Sequence, residues 1–251
     1  MALLEVDVRG AVRHVRLNRP DKRNALNPEM IEALQQAFAV TPEAGERLAL
    51  VEAAGPVFCS GIDLKERDAT AAGIKPFEDA LHAMETYPLP VVGVVRGPAI
   101  AGGNEIALHC DLVVASTAAK FGMSPVQIGL APSWFLCKKL IEIAGPVATK
   151  RILMLGDPLP AQAFFELGLI SHIAEPDAVD ETVAAVVDRL SRNAPMSLRA
   201  IKAVLTRQLT YRDHIEHGDL DKQLGIVRES EDAKEGIRAL LEKRQPQFKE
   251  R

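Results

Sequence analysis

The chain contains few residues of the kinds that mark several common classes of protein. Its 251 residues include one tryptophan, two tyrosines and three cysteines, and aromatic residues make up 4% of the whole. Cys59, Cys110 and Cys137 are far apart and form no C-x-x-C pair, which argues against a disulfide framework and against a zinc cluster. The six histidines are also scattered, so no metal site is predicted. This cysteine content fits a reducing compartment, and the cytoplasm is the expected location.

Long apolar runs and an excess of positive charge are missing as well. No apolar stretch reaches the roughly 20 residues that a membrane-spanning helix needs, and the first residues lack the apolar centre of a signal peptide. The formal net charge is -4 at pH 7, which leaves no whole-chain basic footprint for nucleic acid. The motifs G-x-x-x-x-G-K-[ST], H-E-x-x-H and G-x-S-x-G are absent too. These absences predict a soluble protein that acts on a small molecule, with neither a membrane nor a nucleic acid as partner.

The residues that are present suit a compact α/β core. Hydrophobic residues make up 47% of the chain and charged residues 25%, as in typical globular proteins. Two alternating segments around Gly10 predict a hairpin, and Pro28 predicts the start of a helix. Short valine-rich runs then predict buried parallel strands with helices between them, in βαβ crossovers. The predicted strands lie at residues 4–9, 12–17, 48–53, 91–95 and 112–115, and the later helices at 77–86 and 103–109.

Helical periodicity dominates from Pro132 onward, and the strand signal fades there. Pro146, Pro160 and Pro195 stand where first helical turns would begin. We divide the chain into an α/β core at residues 1–192 and a C-terminal helical region at residues 193–251, which packs on the core or on a neighbouring subunit. The predicted helices of this part lie at residues 179–190, 198–208, 220–227 and 233–242.

Two glycine turns are the main candidates for a site. The first, Cys59-Ser60-Gly61-Ile62-Asp63, is expected where a buried strand ends at residues 57–61. There Gly61 makes a turn that a side chain would obstruct, and the N–H of Ile62 is presented. The second, Ala101-Gly102-Gly103-Asn104-Glu105, opens a helix, whose free N–H groups and dipole favour negative charge. Each turn alone is also common in ordinary α/β proteins. Brought together, the N–H groups of Ile62 and Gly102 would form an oxyanion hole, with Glu105 as a neighbouring acid or base.

Seven segments form an ordered series along nearly the whole chain. They are Arg19-Pro20-Asp21-Lys22-Arg23-Asn24-Ala25-Leu26, residues 58–66, residues 97–105, Cys110-Asp111, Phe121-Gly122, residues 128–132 and Gly168-Leu169-Ile170-Ser171. In this order they resemble the signatures of the crotonase, or enoyl-CoA hydratase/isomerase, superfamily. The resemblance implies a crotonase-like spiral core of repeated β-β-α units and a C-terminal helical region used in trimerisation, often as a dimer of trimers.

The same resemblance implies an acyl-CoA thioester as substrate, with no separate cofactor because CoA is part of the substrate. The thioester oxygen would sit between the N–H groups of Ile62 and Gly102, which stabilise an enolate-like state. CoA would contact the backbone of the first turn and the basic side chains of Lys22 and Arg23, and Lys243 would reach its phosphate from a neighbouring subunit. For each of these three side chains, exposure to solvent without a ligand is the ordinary alternative. The implied contacts of the first turn and its surroundings are Lys22, Arg23, Gly61, Asp63, Leu64 and Lys65.

One position departs from the hydratase pattern. Glu105 occupies the place of the first hydratase glutamate, although a glutamate in the first turn of a helix is also simply favourable. Pro125 stands where the second glutamate is expected, and a proline can neither activate water nor deliver a proton. Isomerases that use this second position as their base are disfavoured for the same reason.

Ser124-Pro125 is instead similar to the branch that contains methylmalonyl-CoA and ethylmalonyl-CoA decarboxylases. In that branch Ser124 would hydrogen-bond the substrate carboxylate or the enolate. The sequence departs from that branch in two places: Ile62 replaces a histidine, and Ser133-Trp134 stands where a tyrosine is expected. Trp134 is a candidate for lining the acyl pocket, with a place in the core as the alternative.

The sequence therefore leaves three functions open. The broad prediction is an enoyl-CoA hydratase-like lyase, and decarboxylation of a malonyl-type CoA is the close alternative. A noncatalytic acyl-CoA-binding scaffold, which kept the cleft and lost the second acid, is the third.

Overall fold

The computed structural model describes residues 2–66, 73–210 and 214–249. Its strands are β1 (Leu4–Arg9), β2 (Val12–Leu17), β3 (Leu48–Ala53), β4 (Val91–Val95), β5 (Ala99–Ile100), β6 (Leu112–Ser116), β7 (Lys120–Gly122), β8 (Leu159–Pro160) and β9 (His172–Ala174). Its α-helices are α1 (Pro28–Phe38), α2 (Lys75–Thr86), α3 (Gly102–Leu108), α4 (Trp134–Leu155), α5 (Ala161–Glu166), α6 (Val179–Arg192), α7 (Pro195–Leu209), α8 (Gly218–Glu229) and α9 (Glu231–Glu242). Short 3-10 helices lie at Pro20–Lys22 and Pro125–Ile128.

A six-stranded sheet in the order β1-β2-β3-β4-β6-β9 forms the centre of the fold. β1 and β2 form the antiparallel hairpin predicted around Gly10, whose φ is 62°. From β2 onward every neighbouring pair is parallel, as the valine-rich runs predicted. The α/β class is therefore confirmed, and the carboxyl ends of the parallel strands share one edge, where ligands of such sheets bind.

Alternate residues of the central strands pack against two different layers. Leu50 and Val92 belong to a cluster with Val186 of α6, whereas Val51 and Val91 belong to the main core beneath α1 and α2. Burial on both faces explains why these strands read as continuous apolar runs rather than alternating ones. The sheet is therefore a rigid base on which the loops at its carboxyl edge are fixed.

Two expectations about strands are wrong. Residues 57–61 do not end a buried strand: β3 stops at Ala53, and only isolated bridges from Cys59 to Ala99 and from Ile62 to Leu26 follow it. The strand signal also does not end at Pro132, because β8 completes a small sheet with β5 and β7, and β9 joins the main sheet. Strands of two or three residues are too short to show a periodic pattern.

The helices α7, α8 and α9 occupy the part of the chain predicted to be helical, and the division at residue 193 stays a prediction. Lys202 of α7 is buried and fixes this helix to the core, because its Nζ donates to Asp111 Oδ2 at 2.6 Å and to the carbonyl of Leu89 at 3.1 Å. α9 lies directly on the 3-10 helix Pro125–Ile128, where Gly236 leaves no room for a side chain beside Ile128. No helix in the described ranges is long and apolar enough to cross a bilayer.

Candidate active site

The first glycine turn is held in place by the loop that precedes α1. Asn24 is buried, and its amide Nδ2 donates to the carbonyls of Ala54 and Val57 at 2.8 Å each. The N–H of Leu26 donates to the carbonyl of Gly61 at 2.8 Å, and the N–H of Asp63 donates back to Leu26 at 2.9 Å.

This bridge determines the direction of the Ile62 N–H. Because successive amides of an extended chain point to opposite sides, the N–H of Ile62 is directed away from Leu26. It has no acceptor among the residues that the structure describes, and Ile62 lines the main cavity. The first predicted donor is therefore free and lies at the cavity.

The second turn meets the first through glycine backbones. Ala101 takes up a positive φ of 49° just before α3, so that Gly102 is the first helical residue and its N–H has no partner within the helix. A Cβ placed on Gly61 would lie 3.2 Å from the Gly102 nitrogen, and one on Gly103 would overlap the carbonyl of Cys59. The structure thus brings the two turns together, and their close contact requires glycine at these positions.

Cys59 lies inside this contact and is not a nucleophile. Burial raises the pKa of its thiol to about 12, so it stays protonated. Its Sγ accepts the N–H of Gly61 at 3.4 Å. It fills space beneath the turn.

Both turns open into a cavity of about 1290 Å³ with mainly apolar walls. Leu26 and Ile31 line it from the α1 side, Phe77 from α2, and Leu136 from α4. The C-terminal region of the same chain forms another wall, which was not predicted from the sequence. The residues of that wall are Leu224, Arg228, Glu229, Gly236, Leu240, Arg244, Gln245, Pro246 and Phe248.

Glu105 lines this cavity and is completely buried. Neither carboxyl oxygen has a hydrogen-bond partner within the described part of the chain. Burial raises the pKa of Glu105 to about 8; the positive charge of Lys139 works in the opposite direction, and Glu78 adds to the increase. At pH 7 the carboxyl is therefore mostly protonated, and it carries both an O–H donor and a free acceptor oxygen.

His109, one helical turn beyond Glu105, is a neighbour that the sequence did not single out. Its Nδ1 lies 2.8 Å from the main-chain oxygen of Glu105 and 3.9 Å from Oε2. Burial lowers the pKa of His109 to about 3, and Lys139 lowers it further, so the ring is neutral. Because a carbonyl only accepts, the ring N–H is on Nδ1. A histidine four residues after a candidate acid is a sequence signal that could have identified it.

Ser124 and Pro125 lie at the start of the 3-10 helix and line the cavity, and their predicted contact with the substrate stays a prediction. The hydroxyl of Ser124 makes no hydrogen bond to the described residues and is free for a ligand. Among the described residues of the cavity wall, the carboxylates other than Glu105 are Glu32 and Glu229, and both are exposed. Pro125 thus leaves Glu105 as the buried acid of the site.

The remaining predicted contacts around the first turn differ in their exposure and in their partners. Leu64 lines the cavity, whereas Lys22, Arg23 and Lys65 are exposed beside it. Asp63 is fixed in place: burial opposes its ionisation, but the N–H of Lys65 and the guanidinium of Arg19, 2.9 Å away, outweigh it and lower its pKa. Asp63 therefore shapes the turn.

Two further predicted contacts, Trp134 and Lys243, belong to α4 and to the end of α9, and they also lie outside the cavity wall. Trp134 begins α4 and stacks on His217 with ring centroids 4.7 Å apart, so its ring is occupied by that contact. Lys243 ends α9 in a left-handed conformation with φ of 56° and is exposed. Its predicted contact with CoA in a neighbouring subunit stays a prediction.

Comparisons with known proteins identify the family to which this chain belongs. The model of the enoyl-CoA hydratase/isomerase family matches residues 7–251. A putative enoyl-CoA hydratase of Thermus thermophilus is 36% identical over 251 residues, which cover 96% of this chain and 98% of the relative. The crystal structure of an enoyl-CoA hydratase from Mycobacterium avium subsp. paratuberculosis has a TM-score of 0.88 at 27% identity over 99% of both chains. A structure of methylmalonyl-CoA decarboxylase has a TM-score of 0.90 at 25% identity over 99% of this chain and 98% of that one. The chain therefore belongs to the enoyl-CoA hydratase/isomerase family of the crotonase superfamily.

Proposed function

We propose that this protein is an acyl-CoA lyase that polarises a thioester carbonyl between the N–H groups of Ile62 and Gly102 and uses protonated Glu105 as its acid. The observation that carries the proposal is the presence of a buried, unpaired carboxyl at the same cavity as two free backbone donors. Negative charge that builds on the thioester oxygen meets donors already in place, and one such donor is typically worth about 2.7–4 kcal/mol.

Addition of water to a 2-enoyl-CoA is the first candidate reaction, because the relative from Thermus thermophilus that is similar over nearly its whole length is named a putative enoyl-CoA hydratase. One neutral carboxyl is sufficient for this reaction. The O–H of Glu105 gives its proton to the α-carbon while its other oxygen takes a proton from the water that bonds to the β-carbon. The C=C double bond becomes a single bond, and Glu105 ends neutral, as it began.

Decarboxylation of a malonyl-type CoA is the second candidate, and Ser124 with Pro125 favours it. Loss of CO₂ leaves its bonding electrons on the α-carbon as the thioester enolate, so no base is needed. Glu105 then protonates the α-carbon and regains a proton from water. The free hydroxyl of Ser124 is available to hydrogen-bond the departing carboxylate. Similarity to the structure of methylmalonyl-CoA decarboxylase supports this candidate.

Two assays and one pair of variants test the proposal. Crotonyl-CoA hydration and CO₂ release from methylmalonyl-CoA are measured for the wild type, Glu105→Gln and Glu29→Gln. We expect one of the two activities in the wild type and a loss of about 100-fold or more in Glu105→Gln, because the amide cannot deliver the proton.

Glu29 is the matched control because it is also a glutamate in the first turn of a helix, yet it is exposed and lies outside the cavity wall. Glu29→Gln should keep full activity. Full activity in Glu105→Gln would contradict the acid role. CoA binding without either activity in the wild type would support the noncatalytic scaffold instead.

A further inference from the structure

A second group of charged side chains lies near the C-terminal end of α3. Lys139 Nζ of α4 donates to Glu85 Oε1 of α2 at 2.7 Å, and the side chains are 11% and 14% exposed. A separate cavity of about 270 Å³ is lined by both residues and by His109. Neither Glu85 nor Lys139 lines the main cavity, so neither side chain can contact a substrate bound there.

His109 connects this second cavity to Glu105. Its ring stacks on Phe135 with centroids 5.3 Å apart and is 2% exposed. With the ring N–H engaged by the main-chain oxygen of Glu105, Nε2 is left as a buried acceptor without a partner in the described part of the chain. The ring is thus packed rigidly against Glu105 and adds no charge there.

The charges around Glu105 come from two helices. Lys139 of α4 favours ionisation of Glu105, whereas Glu78 of α2 opposes it. Burial and Glu105 raise the pKa of the Cys137 thiol, which is also on α4. Lys138 of α4 acts on His109 and on Glu85. Burial works against ionisation of Glu85, but the groups around it, Lys139 foremost, together outweigh burial and bring the pKa of Glu85 below its usual value. Glu85 is therefore a fixed negative charge on Lys139.

We propose that Glu85 is a positioning residue for the acid of the site: by holding Lys139 in an ion pair, it keeps that ammonium from pairing with Glu105 and so keeps the proton on the Glu105 carboxyl. An ammonium free to turn toward Glu105 would stabilise the carboxylate and remove the proton that the reaction needs. This inference rests on the proposed function because it concerns the same acid.

The protonation of Glu105 can be measured without turnover. In the full-length protein, the infrared band of the protonated carboxyl is titrated with pH and assigned by its loss in Glu105→Gln. We expect Glu85→Gln, which keeps the shape and removes the charge, to shift the midpoint of Glu105 downward by about one unit or more. Lys139→Met should shift it upward. Asp180→Asn, which breaks the exposed pair with Arg96, is the control and should not move it.

A midpoint in Glu85→Gln that equals the wild-type value or moves upward would overturn the role of Glu85. If Glu85→Gln does not fold, Glu85→Asp, which keeps the charge but shortens its reach toward Lys139, is titrated in its place, and an unmoved or raised midpoint would overturn the role in the same way. Shifted midpoints in a protein that turns over neither substrate would support the role of Glu85 and count against the proposed function. Normal turnover with unmoved midpoints would overturn the role of Glu85 alone.

Discussion

At the residue scale, burial rather than residue type keeps Glu105 protonated at neutral pH. Its position could be predicted from the glycine turn and the family pattern, but its protonation could not. That property depends on the absence of hydrogen-bond partners and on charges contributed by α2 and α4, which are distant in sequence. The ion pair of Glu85 with Lys139 could not be predicted for the same reason, since 54 positions separate its members.

The buried carboxyl predicts a pH-dependent gain in stability for Glu105→Gln. Below the ordinary pKa of 4.5 the residue is protonated in both the folded and the unfolded chain, so it has no effect. As the pH rises toward about 8, the unfolded chain loses this proton while the folded chain keeps it, which favours unfolding of the wild type. Each unit of pKa difference is worth about 1.4 kcal/mol.

Urea denaturation of both proteins at several pH values checks this expectation. The stability of Glu105→Gln relative to the wild type should increase between about pH 5 and about pH 8 and then level off. A difference that is the same at every pH would show that Glu105 has an ordinary pKa in the folded protein.

The contact between the two turns predicts that Gly103→Ala is costly. The new methyl group would overlap the carbonyl of Cys59 and push the first turn away from α3, which separates the donors of Ile62 and Gly102. We expect a loss of about 1–3 kcal/mol in the free energy of unfolding and a fall in kcat/KM.

Gly225→Ala provides the control, because Gly225 lies in α8 with open space where a Cβ would be. That change should be neutral or stabilising by up to about 1 kcal/mol, with activity retained. Denaturation and turnover of both variants decide the point. Equal behaviour of the two would mean that the turns tolerate separation.

At the element scale, long periodic segments could be predicted and short ones could not. β1, β2 and β3 match their predicted ranges, and α1 begins at Pro28 as expected. The wrong strand at residues 57–61 has a physical cause: this segment bends at Phe58 and is held by Asn24 and by single bridges rather than by a ladder. An apolar pattern does not distinguish these two situations.

The attachment of α7 predicts a loss of stability in Lys202→Met. The substitution leaves Asp111 Oδ2 with only the N–H of Val91 and removes the donor to the carbonyl of Leu89. We expect a loss of about 1–3 kcal/mol in the free energy of unfolding, measured by urea denaturation.

Lys234→Met is the matched control, since Lys234 pairs with Glu231 on the surface and both side chains are more than half exposed. Its effect should stay within about 0.5 kcal/mol. A comparable loss in both variants would refute the idea that Lys202 fixes α7 to the core.

At the scale of the whole molecule, the C-terminal helices have two different surfaces. α9 faces the cavity of its own chain, with Gly236 against Ile128, while α7 exposes Met196, Val204 and Leu205 at 81%, 58% and 59%. A helical pattern in a sequence shows which face is apolar, but it does not show what covers that face. The exposed side of α7 is consistent with the predicted homotrimer or dimer of trimers, which stays a prediction.

The pH profile of kcat/KM tests the central claim most directly, because it reports the ionisation of the free enzyme. It is measured from about pH 6 to about pH 9.5 with crotonyl-CoA or methylmalonyl-CoA, whichever substrate is turned over. If Glu105 acts from its protonated form, kcat/KM stays level at neutral pH and falls about tenfold per unit above a pKa near 8. A kcat/KM that rises with pH through this range would show that the ionised carboxylate is the active form and would contradict the account.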